Sequence, residues 1–139
     1  MIVLDSSFLV AYHNERDAHH ITASQLMDQF LKGAGGKGLL LEYVFLEVVT
    51  VLLKRRDVTT AAKVGAILLE AEELEFVPCS DIFLETVEHF SRQLGTRLSF
   101  ADSAIADIAR KRAAGRILSF DEEFGNISGL QINPATAPL

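Results

Sequence analysis

The sequence predicts an α/β protein in which helices pack on a mainly parallel sheet. Short apolar segments typical of buried strands alternate along the chain with longer segments that carry apolar residues at helical spacing. Acidic residues follow the first and the fourth of these predicted strands directly, in MIVLDSS and ILSFDEE. The length of 139 residues and the hydrophobic fraction of 49% fit one globular domain over residues 1–139.

The first half of the chain contains two predicted strands and three predicted helices. Asp17 is the expected cap of the first helix, and the glycine-rich segment 33–38 ends that helix. The apolar positions that indicate the first helix are Ile21, Leu26, Met27 and Phe30. The predicted elements, in order, are a strand at 2–4, a helix at 16–32, a strand at 39–41, a helix at 43–56 and a helix from Thr59 or Thr60 to 73.

The second half contains three predicted strands and two predicted helices, each helix ending at a glycine. The first helix should face the core through Ile82, Phe83, Val87, Phe90 and Leu94. The second should do so through Ala101, Ala104, Ile105, Ile108 and Ala109. The predicted elements are a strand at 75–78, helices from Ser80 or Asp81 to Gly95 and from Ser99 to Gly115, strands at 117–120 and 130–132, and a loose tail at 133–139.

The composition restricts the classes of protein. The only cysteine, Cys79, excludes an internal disulfide and suits a reducing compartment. No apolar run approaches the about 20 residues that a membrane span needs, and the chain opens with a strand pattern instead of a secretion signal. We therefore expect a cytoplasmic protein. The net charge of −6 argues against broad nonspecific binding to nucleic acid, but a nuclease with an acidic metal site remains compatible with it.

Asp5 and Asp121 directly follow the predicted strands 2–4 and 117–120. Each aspartate could simply cap or close the turn at its junction, which is a frequent role of this residue. However, parallel sheets place ligand sites just beyond the carboxyl ends of their strands, where both side chains would lie. Neither residue alone decides between these two interpretations.

Glu47 and Asp102 lie on predicted helices. Glu47 shares a helical stripe with Lys54, which is typical of a solvated face, but the apolar character of the rest of this helix would make a buried carboxylate need a cation. Asp102 stands three residues after Ser99, in the pattern of a helix cap. Asp107 lies well round the same helix from Asp102, so we expect Asp107 to be exposed.

The remaining polar features favour ordinary structural roles. The four histidines show none of the spacings of metal sites, so we interpret them as surface residues. The basic stretches 54–56 and 110–112 are typical of solvated helix ends, although either could contact a phosphate backbone. The segment GAGGKG precedes a strand, whereas a phosphate loop follows one, so it is interpreted as a connector.

The four carboxylates of Asp5, Glu47, Asp102 and Asp121 could meet at one edge of the predicted sheet. Carboxylates gathered in this way raise one another's energy unless divalent cations neutralise them. Oxygen ligands alone favour Mg²⁺ or Mn²⁺, the hard cations that proteins use with phosphate substrates. The pattern therefore predicts a metal site at this edge.

Four segments cover essentially the whole chain in a distinctive order: MIVLDSSFLVAY, LEYVFLEVV, LSFADSAIADIA and ILSFDEEF. In this order they resemble the PIN-domain ribonucleases, particularly the VapC-like toxins of prokaryotic toxin–antitoxin pairs. The closing segment DEEFGNISGLQI also resembles the end of this family. The resemblance implies a three-layer α/β/α sandwich with a central, mainly parallel sheet, and an acidic pocket that binds Mg²⁺ or Mn²⁺ for endonucleolytic cleavage of RNA.

The resemblance also implies roles for individual residues and partners for the chain. The residues that match the family's acids are Asp5 after the first strand, Glu47 on a helix, Asp102 at a helix start and Asp121 in a Thr-x-Asp turn. Ser119 takes the place of that threonine, and Ser6 matches a hydroxyl position after the first aspartate; both could orient metal or water. The implied partners are an RNA substrate, a second copy of the chain, and an antitoxin that blocks the pocket with a basic side chain and lays a helix in an apolar groove.

The sequence departs from the family at two places and leaves other functions open. Glu122 and Glu123 stand where many relatives carry a basic residue and then an acid, and Glu42 stands where a small polar residue is common and could crowd or extend the pocket. The chain could also be an inactive or RNA-processing PIN domain, or a noncatalytic acidic module that binds metal or phosphate. A receiver-like phosphoacceptor is disfavoured, because the expected paired acids after the first strand and the late lysine are both missing.

Overall fold

A five-stranded parallel sheet forms the centre of the protein in a computed structural model, which describes residues 1–134. The strands in chain order are β1 (Ile2–Leu4), β2 (Gly38–Leu41), β3 (Leu74–Val77), β4 (Arg116–Ser119) and β5 (Gln131–Pro134). They lie side by side in the order β3-β2-β1-β4-β5, and every neighbouring pair is parallel. The apolar strand β1 therefore lies in the middle of the sheet, where its residues are fully buried.

Helices cover both faces of this sheet. They are α1 (Ser6–His13), α2 (His20–Leu31), α3 (Glu42–Arg55), α4 (Val58–Glu70), α5 (Cys79–Ser91) and α6 (Phe100–Arg112), followed by a short 3₁₀ helix (Glu122–Asn126). Crossovers between parallel strands are right-handed, so the chain places α1 to α4 on one face and, after it returns past β1, α5 and α6 on the other. The contacts agree, because α1 packs on α2 and α3, α3 packs on α4, and α5 packs on α6. The predicted three-layer α/β/α sandwich is confirmed.

The direction of the strand order changes at β1, which has β2 on one side and β4 on the other. Such a switch point opens a crevice beyond the carboxyl ends of the two strands. The backbone N–H of Asp5 donates to the carbonyl oxygen of Leu118 at 3.0 Å, so the end of β1 is tied to β4. The segments that carry Asp5 and Asp121 therefore leave the sheet at the same edge.

The first helical region differs from the prediction of one helix over 16–32. The structure has α1 directly after β1, and α2 begins only at His20. Between them, the Asp17 N–H donates to the Asn14 carbonyl at 2.9 Å and the Asp17 carboxylate accepts the His19 N–H at 2.9 Å. These bonds hold a turn, so Asp17 closes a loop instead of capping the helix.

Helix α5 faces its surroundings differently from the prediction. Ile82 is buried as expected, but the other apolar residues of the predicted stripe expose between 42% and 93% of their surface: Phe83, Val87, Phe90 and Leu94. The reason is that α5 packs on α6 on the outside of the sandwich. The rings of Phe83 and Phe90 pack against Phe100 of α6, with centroid distances of 5.6 and 5.7 Å. The apolar spacing therefore marks a helix–helix contact.

Asp107 was predicted to be exposed, and this prediction was wrong. Its side chain is 6% exposed and lies 3.0 Å from Nε2 of His89 on α5. The Nζ of Lys111 donates to the same carboxylate at 3.1 Å. Helix α5 covers this face of α6, and the Lys111 ammonium offsets part of the cost of burying the charge.

The other elements lie close to their predicted positions. The helix expected from Thr59 or Thr60 begins at Val58, because the Asp57 carboxylate accepts the Thr60 N–H at 2.7 Å and caps it. Strand β5 is shifted towards the end of the chain, so two residues of the predicted loose tail pair with β4, and residues 135–139 lie outside the described part. Within residues 1–134, no helix combines the length and apolar character that crossing a membrane requires.

Gly115 connects α6 to β4 at a backbone φ of +80°, and a Cβ there would collide with the carbonyl oxygen of Gly129. We expect Gly115→Ala to lower the free energy of unfolding by about 2 kcal/mol, because the positive φ strains an alanine and the contacted atom belongs to the backbone instead of a flexible side chain. Urea unfolding measures this change. Gly125→Ala is the matched control, since no atom of the described residues lies within 4 Å of its added Cβ. Equal losses in the two variants would contradict the prediction.

Candidate active site

An acidic cavity of about 340 Å³ lies beyond the carboxyl ends of β1 and β4. Its wall is built from the start of α1, the loop before α2, one side of α3, the start of α6 and the segment that follows β4. The polar and aromatic residues that line it are Asp5, Ser6, Ser7, Asp17, His19, Glu47, Arg55, Ser99, Asp102, Phe120 and Asp121. The fold thus brings all four predicted acids to one cavity.

Asp5 is held by a network of hydroxyl groups at the bottom of the cavity. Its side chain is buried, and its Oδ2 accepts hydrogen bonds from Ser119 Oγ at 2.7 Å and Ser7 Oγ at 2.8 Å. Ser119 Oγ in turn accepts the N–H of Asp121 at 2.9 Å, and Ser7 Oγ accepts the N–H of Phe120 at 2.9 Å. The position of the carboxylate is therefore fixed by the backbone that leaves β4.

The two supporting serines of the prediction have different surroundings. Ser119 lies beside Asp5, as the preceding bonds show, whereas Ser6 lines the cavity and its neighbour Ser7 supplies the second hydroxyl to Asp5. Sequence reasoning missed Ser7. Ser7 lies two residues after Asp5, and this short spacing could have indicated the contact.

Asp102 stands at the start of α6, where Ser99 Oγ accepts its N–H at 3.1 Å. The predicted cap is therefore confirmed, and it aims the first turn of α6 at the cavity. The pKa of Asp102 is raised to about 7, first by burial and then by the charges of Asp5 and Asp121. The hydrogen bond to Ser99 lowers this pKa, and the charge of Glu47 makes the smallest of these contributions. The acids thus disfavour one another's ionised forms.

Burial is also the main reason why the pKa of Asp5 is raised. The hydrogen bonds from Ser119, Ser7 and the Ser6 backbone lower the pKa, and the charge of Asp121 raises it. Both shifts have the same direction, so the cavity stabilises the neutral acids when no cation is present.

Glu123 joins the site, although the sequence indicated only a negative rim at this position. One carboxylate oxygen each from Asp102, Asp121 and Glu123 lie within 4.8 Å of one another. The Asp121 carboxylate accepts the N–H of Glu123 at 2.9 Å and caps the 3₁₀ helix, which confirms the predicted role of Asp121 in this turn. The tight turn brings Glu123 back towards α6.

Two further glutamates differ in their position relative to the cavity. Glu47 is exposed and lines the cavity from α3, so it satisfies both the solvated-face interpretation and the predicted position near the other acids. Glu42 does not line the cavity. Its Oε1 accepts the N–H of Cys79 at 2.9 Å, which satisfies a donor at the start of α5. The expectation that Glu42 crowds or extends the site was therefore wrong.

The donor set fits a hard divalent cation. All the candidate ligands are carboxylate oxygens, which Mg²⁺ and Mn²⁺ prefer. Burial, and after it the charges of Asp5 and Asp121, raise the pKa of Asp102, and a bound cation would relieve this repulsion between the acids. Asp102, Asp121 and Glu123 have the shared proximity that such an ion needs.

The sequence profile of the PIN domain matches residues 2–130. The chain belongs to the PIN-domain family. This result confirms the resemblance drawn from the four sequence segments. The four acids that the resemblance assigned to the site of this PIN domain line the cavity together with Asp17. No curated protein matches the sequence.

Solved structures share the fold of this PIN domain. VapC20 of Mycobacterium tuberculosis, a sarcin-ricin loop cleaving toxin, has a TM-score of 0.78 and 24% sequence identity, and the match covers 94% of this chain and 97% of VapC20. VapBC2 of Rickettsia felis, crystallised with a DNA fragment from its promoter, has a TM-score of 0.61 and 17% identity over 95% of this chain and 97% of the other. At these identities the similarity shows a common fold.

Proposed function

We propose that this PIN domain is a Mg²⁺- or Mn²⁺-dependent endoribonuclease and the toxin of a type II toxin–antitoxin pair. The observation that carries the proposal is the gathering of Asp5, Asp102 and Asp121 in one cavity at the switch point of the sheet. Membership of the PIN family supports nuclease chemistry in general, and the VapC20 toxin supports RNA as the substrate.

Some residues of the cavity would bind the cation, and others would position its ligands. Asp102, Asp121 and Glu123 would hold the cation together with Asp5, and Glu47 would bind it directly or through a water. A divalent cation in such a site lowers the pKa of a bound water and offsets negative charge on a phosphate. Ser7 and Ser119 would keep the Asp5 carboxylate in place, because both donate to its Oδ2.

Cleavage of a mixed RNA pool tests this function. The purified chain should cleave RNA in Mg²⁺ or Mn²⁺ and stop when EDTA removes the cation. Cleavage that persists in EDTA would contradict the metal dependence. A folded chain that binds Mg²⁺ but cleaves no RNA in the pool would contradict the nuclease and favour the alternative of an inactive PIN domain or a noncatalytic metal-binding module.

We also propose an antitoxin and a second copy of the chain as partners. An apolar cavity of about 370 Å³ between α1, α2 and α4 leaves Leu31 and Ile67 half-exposed, which supports docking of an apolar antitoxin helix. The exposed apolar side chains of α5 support pairing of two copies. Light scattering of the purified chain tests the dimer, and a monomer at working concentration would contradict it.

A further inference from the structure

Three aromatic rings lead from the core to the wall of the acidic cavity. Phe8 is fully buried, and its ring centroid lies 6.4 Å from that of Phe120. The ring of His19 stacks on Phe120 with a centroid distance of 4.4 Å and an angle of 7° between the planes. His19 is exposed, so it is the outer member of a column that the core holds in place. A flat ring held in this way presents a surface on which another flat ring can stack.

Asp17 positions this ring and a neighbouring cation together. Its Oδ1 accepts the backbone N–H of His19 at 2.9 Å, and its Oδ2 lies 3.7 Å from the guanidinium of Arg55. The Asp17 side chain is only 14% exposed, whereas that of Arg55 is 59% exposed. The contact with Asp17 keeps the Arg55 guanidinium near the cavity wall, and most of the Arg55 side chain remains accessible to a ligand.

The charge of Arg55 is unusual in its surroundings. Among the residues of 1–134 that line the cavity, Arg55 is the one permanent cation, and five are acids: Asp5, Asp17, Glu47, Asp102 and Asp121. A cavity of this charge repels the phosphate backbone of nucleic acid, so productive binding needs a compensating cation and attraction that does not depend on charge. Arg55 supplies the compensating cation, and the stacked ring of His19 supplies an attraction that does not depend on charge.

We propose that His19 and Arg55 form a binding site for one unpaired nucleotide of single-stranded RNA, with the base stacked on the His19 ring and a phosphate on the Arg55 guanidinium. This inference rests on the proposed nuclease function and names how its substrate is held. The base must be unpaired, because a base inside a duplex has no free face for a protein ring. Stacking accepts any base, so this site gives affinity and position with little sequence preference.

Binding of a short, fluorescently labelled single-stranded RNA of random sequence tests the site. Fluorescence anisotropy in Mg²⁺ would measure the dissociation constant, with every variant built on Asp102→Asn to prevent cleavage during the titration. His19→Ala should weaken binding about tenfold, because base stacking on a protein ring is lost. His19→Phe should restore most of the affinity, since it keeps a flat ring without the imidazole. Equal weakening by His19→Ala and His19→Phe would overturn the stacking contact.

Arg55 is tested against a neighbour on the same helix. Arg55→Gln should weaken binding about tenfold through loss of the phosphate contact. Lys54→Gln removes the same charge from an exposed residue that does not line the cavity, so it should change the affinity less than twofold. Equal effects of the two substitutions would show only the loss of general charge, and would overturn the role of Arg55.

An abasic ribose-phosphate chain of the same length separates the base contact from the backbone contact. The Asp102→Asn protein should bind the abasic chain as weakly as its His19→Ala variant binds RNA. The His19→Ala substitution should not weaken binding of the abasic chain any further. A further loss would show that His19 contacts the backbone, and would overturn the proposal. Thermal unfolding of each variant confirms that the fold is kept.

These binding measurements are independent of cleavage. If the wild type cleaves RNA and the His19 variants bind as the parent does, the nucleotide site is wrong and the nuclease stands. If the wild type cleaves nothing but the expected pattern of affinities holds, the site stands and the nuclease is wrong. If the parent binds no RNA at all, both proposals fall.

Discussion

Replacement of Asp5 by asparagine is expected to lower the rate of RNA cleavage by a factor on the order of a hundred to a thousand. An amide carries no negative charge to offer a cation, so the metal site loses its most deeply buried acid. The amide oxygen can still accept the hydrogen bonds from Ser7 and Ser119, and the variant should therefore keep its fold. Single-turnover cleavage in Mg²⁺ measures the effect.

The Asp5→Asn variant should fold as the wild type does. The pKa of Asp5 is raised by burial, which means that the protein penalises the charged form, so a neutral amide should be tolerated at least as well. Asp28→Asn is a matched control, because Asp28 is an exposed acid that pairs with Lys32 outside the cavity. Full activity of Asp5→Asn, or an equal loss in Asp28→Asn, would contradict the assignment of Asp5 to the metal site.

The affinity for Mg²⁺ is expected to fall about a hundredfold between pH 8 and pH 5, because a proton on Asp102 competes with the cation. The pKa of this group is about 7 in the metal-free protein, compared with 3.8 for an ordinary aspartate. Between pH 3.8 and about 7, the folded chain keeps a proton on Asp102 that the unfolded chain has released. The metal-free protein therefore loses stability as the pH rises across this range, and Mg²⁺ should restore it.

Calorimetric titration with Mg²⁺ at several pH values measures this dependence. Asp102→Asn should bind Mg²⁺ more weakly at pH 8 and show a flatter dependence on pH, with the remainder due to Asp5, whose pKa is raised as well. In Asp28→Asn the dependence should stay as in the wild type. A wild-type affinity that is constant across this range would contradict the prediction.

The strand-end acids could be located from the sequence because the rule behind them is general. Apolar runs ending in Asp5 and Asp121 indicate strand ends, and parallel strands bring their carboxyl ends to one edge. Asp102 was placed through its capping pattern with Ser99, which the structure contains. These inferences needed only local spacing and the class of sheet.

The residues that sequence reasoning missed depend on contacts beyond that spacing. Glu123 approaches Asp102 only because a 3₁₀ turn follows β4. Asp107 is buried because α5 lies across α6, and neither periodicity nor charge reveals which helix will cover which face. For the same reason, the apolar stripe of α5 was assigned to the core. Helix periodicity identifies an apolar side, but the partner on that side is decided by the tertiary arrangement.

The hydroxyl network around Asp5 also has a consequence for synthesis of the chain. Ser119, at the end of β4, lies 114 residues after Asp5 in the chain, and Asp121 follows β4. A nascent chain that lacks β4 holds Asp5 without the hydroxyl of Ser119 and without the acid of Asp121. The acids of the cavity are therefore complete only after β4 and the segment that follows it have been translated, so this site cannot form on a nascent chain that still lacks them.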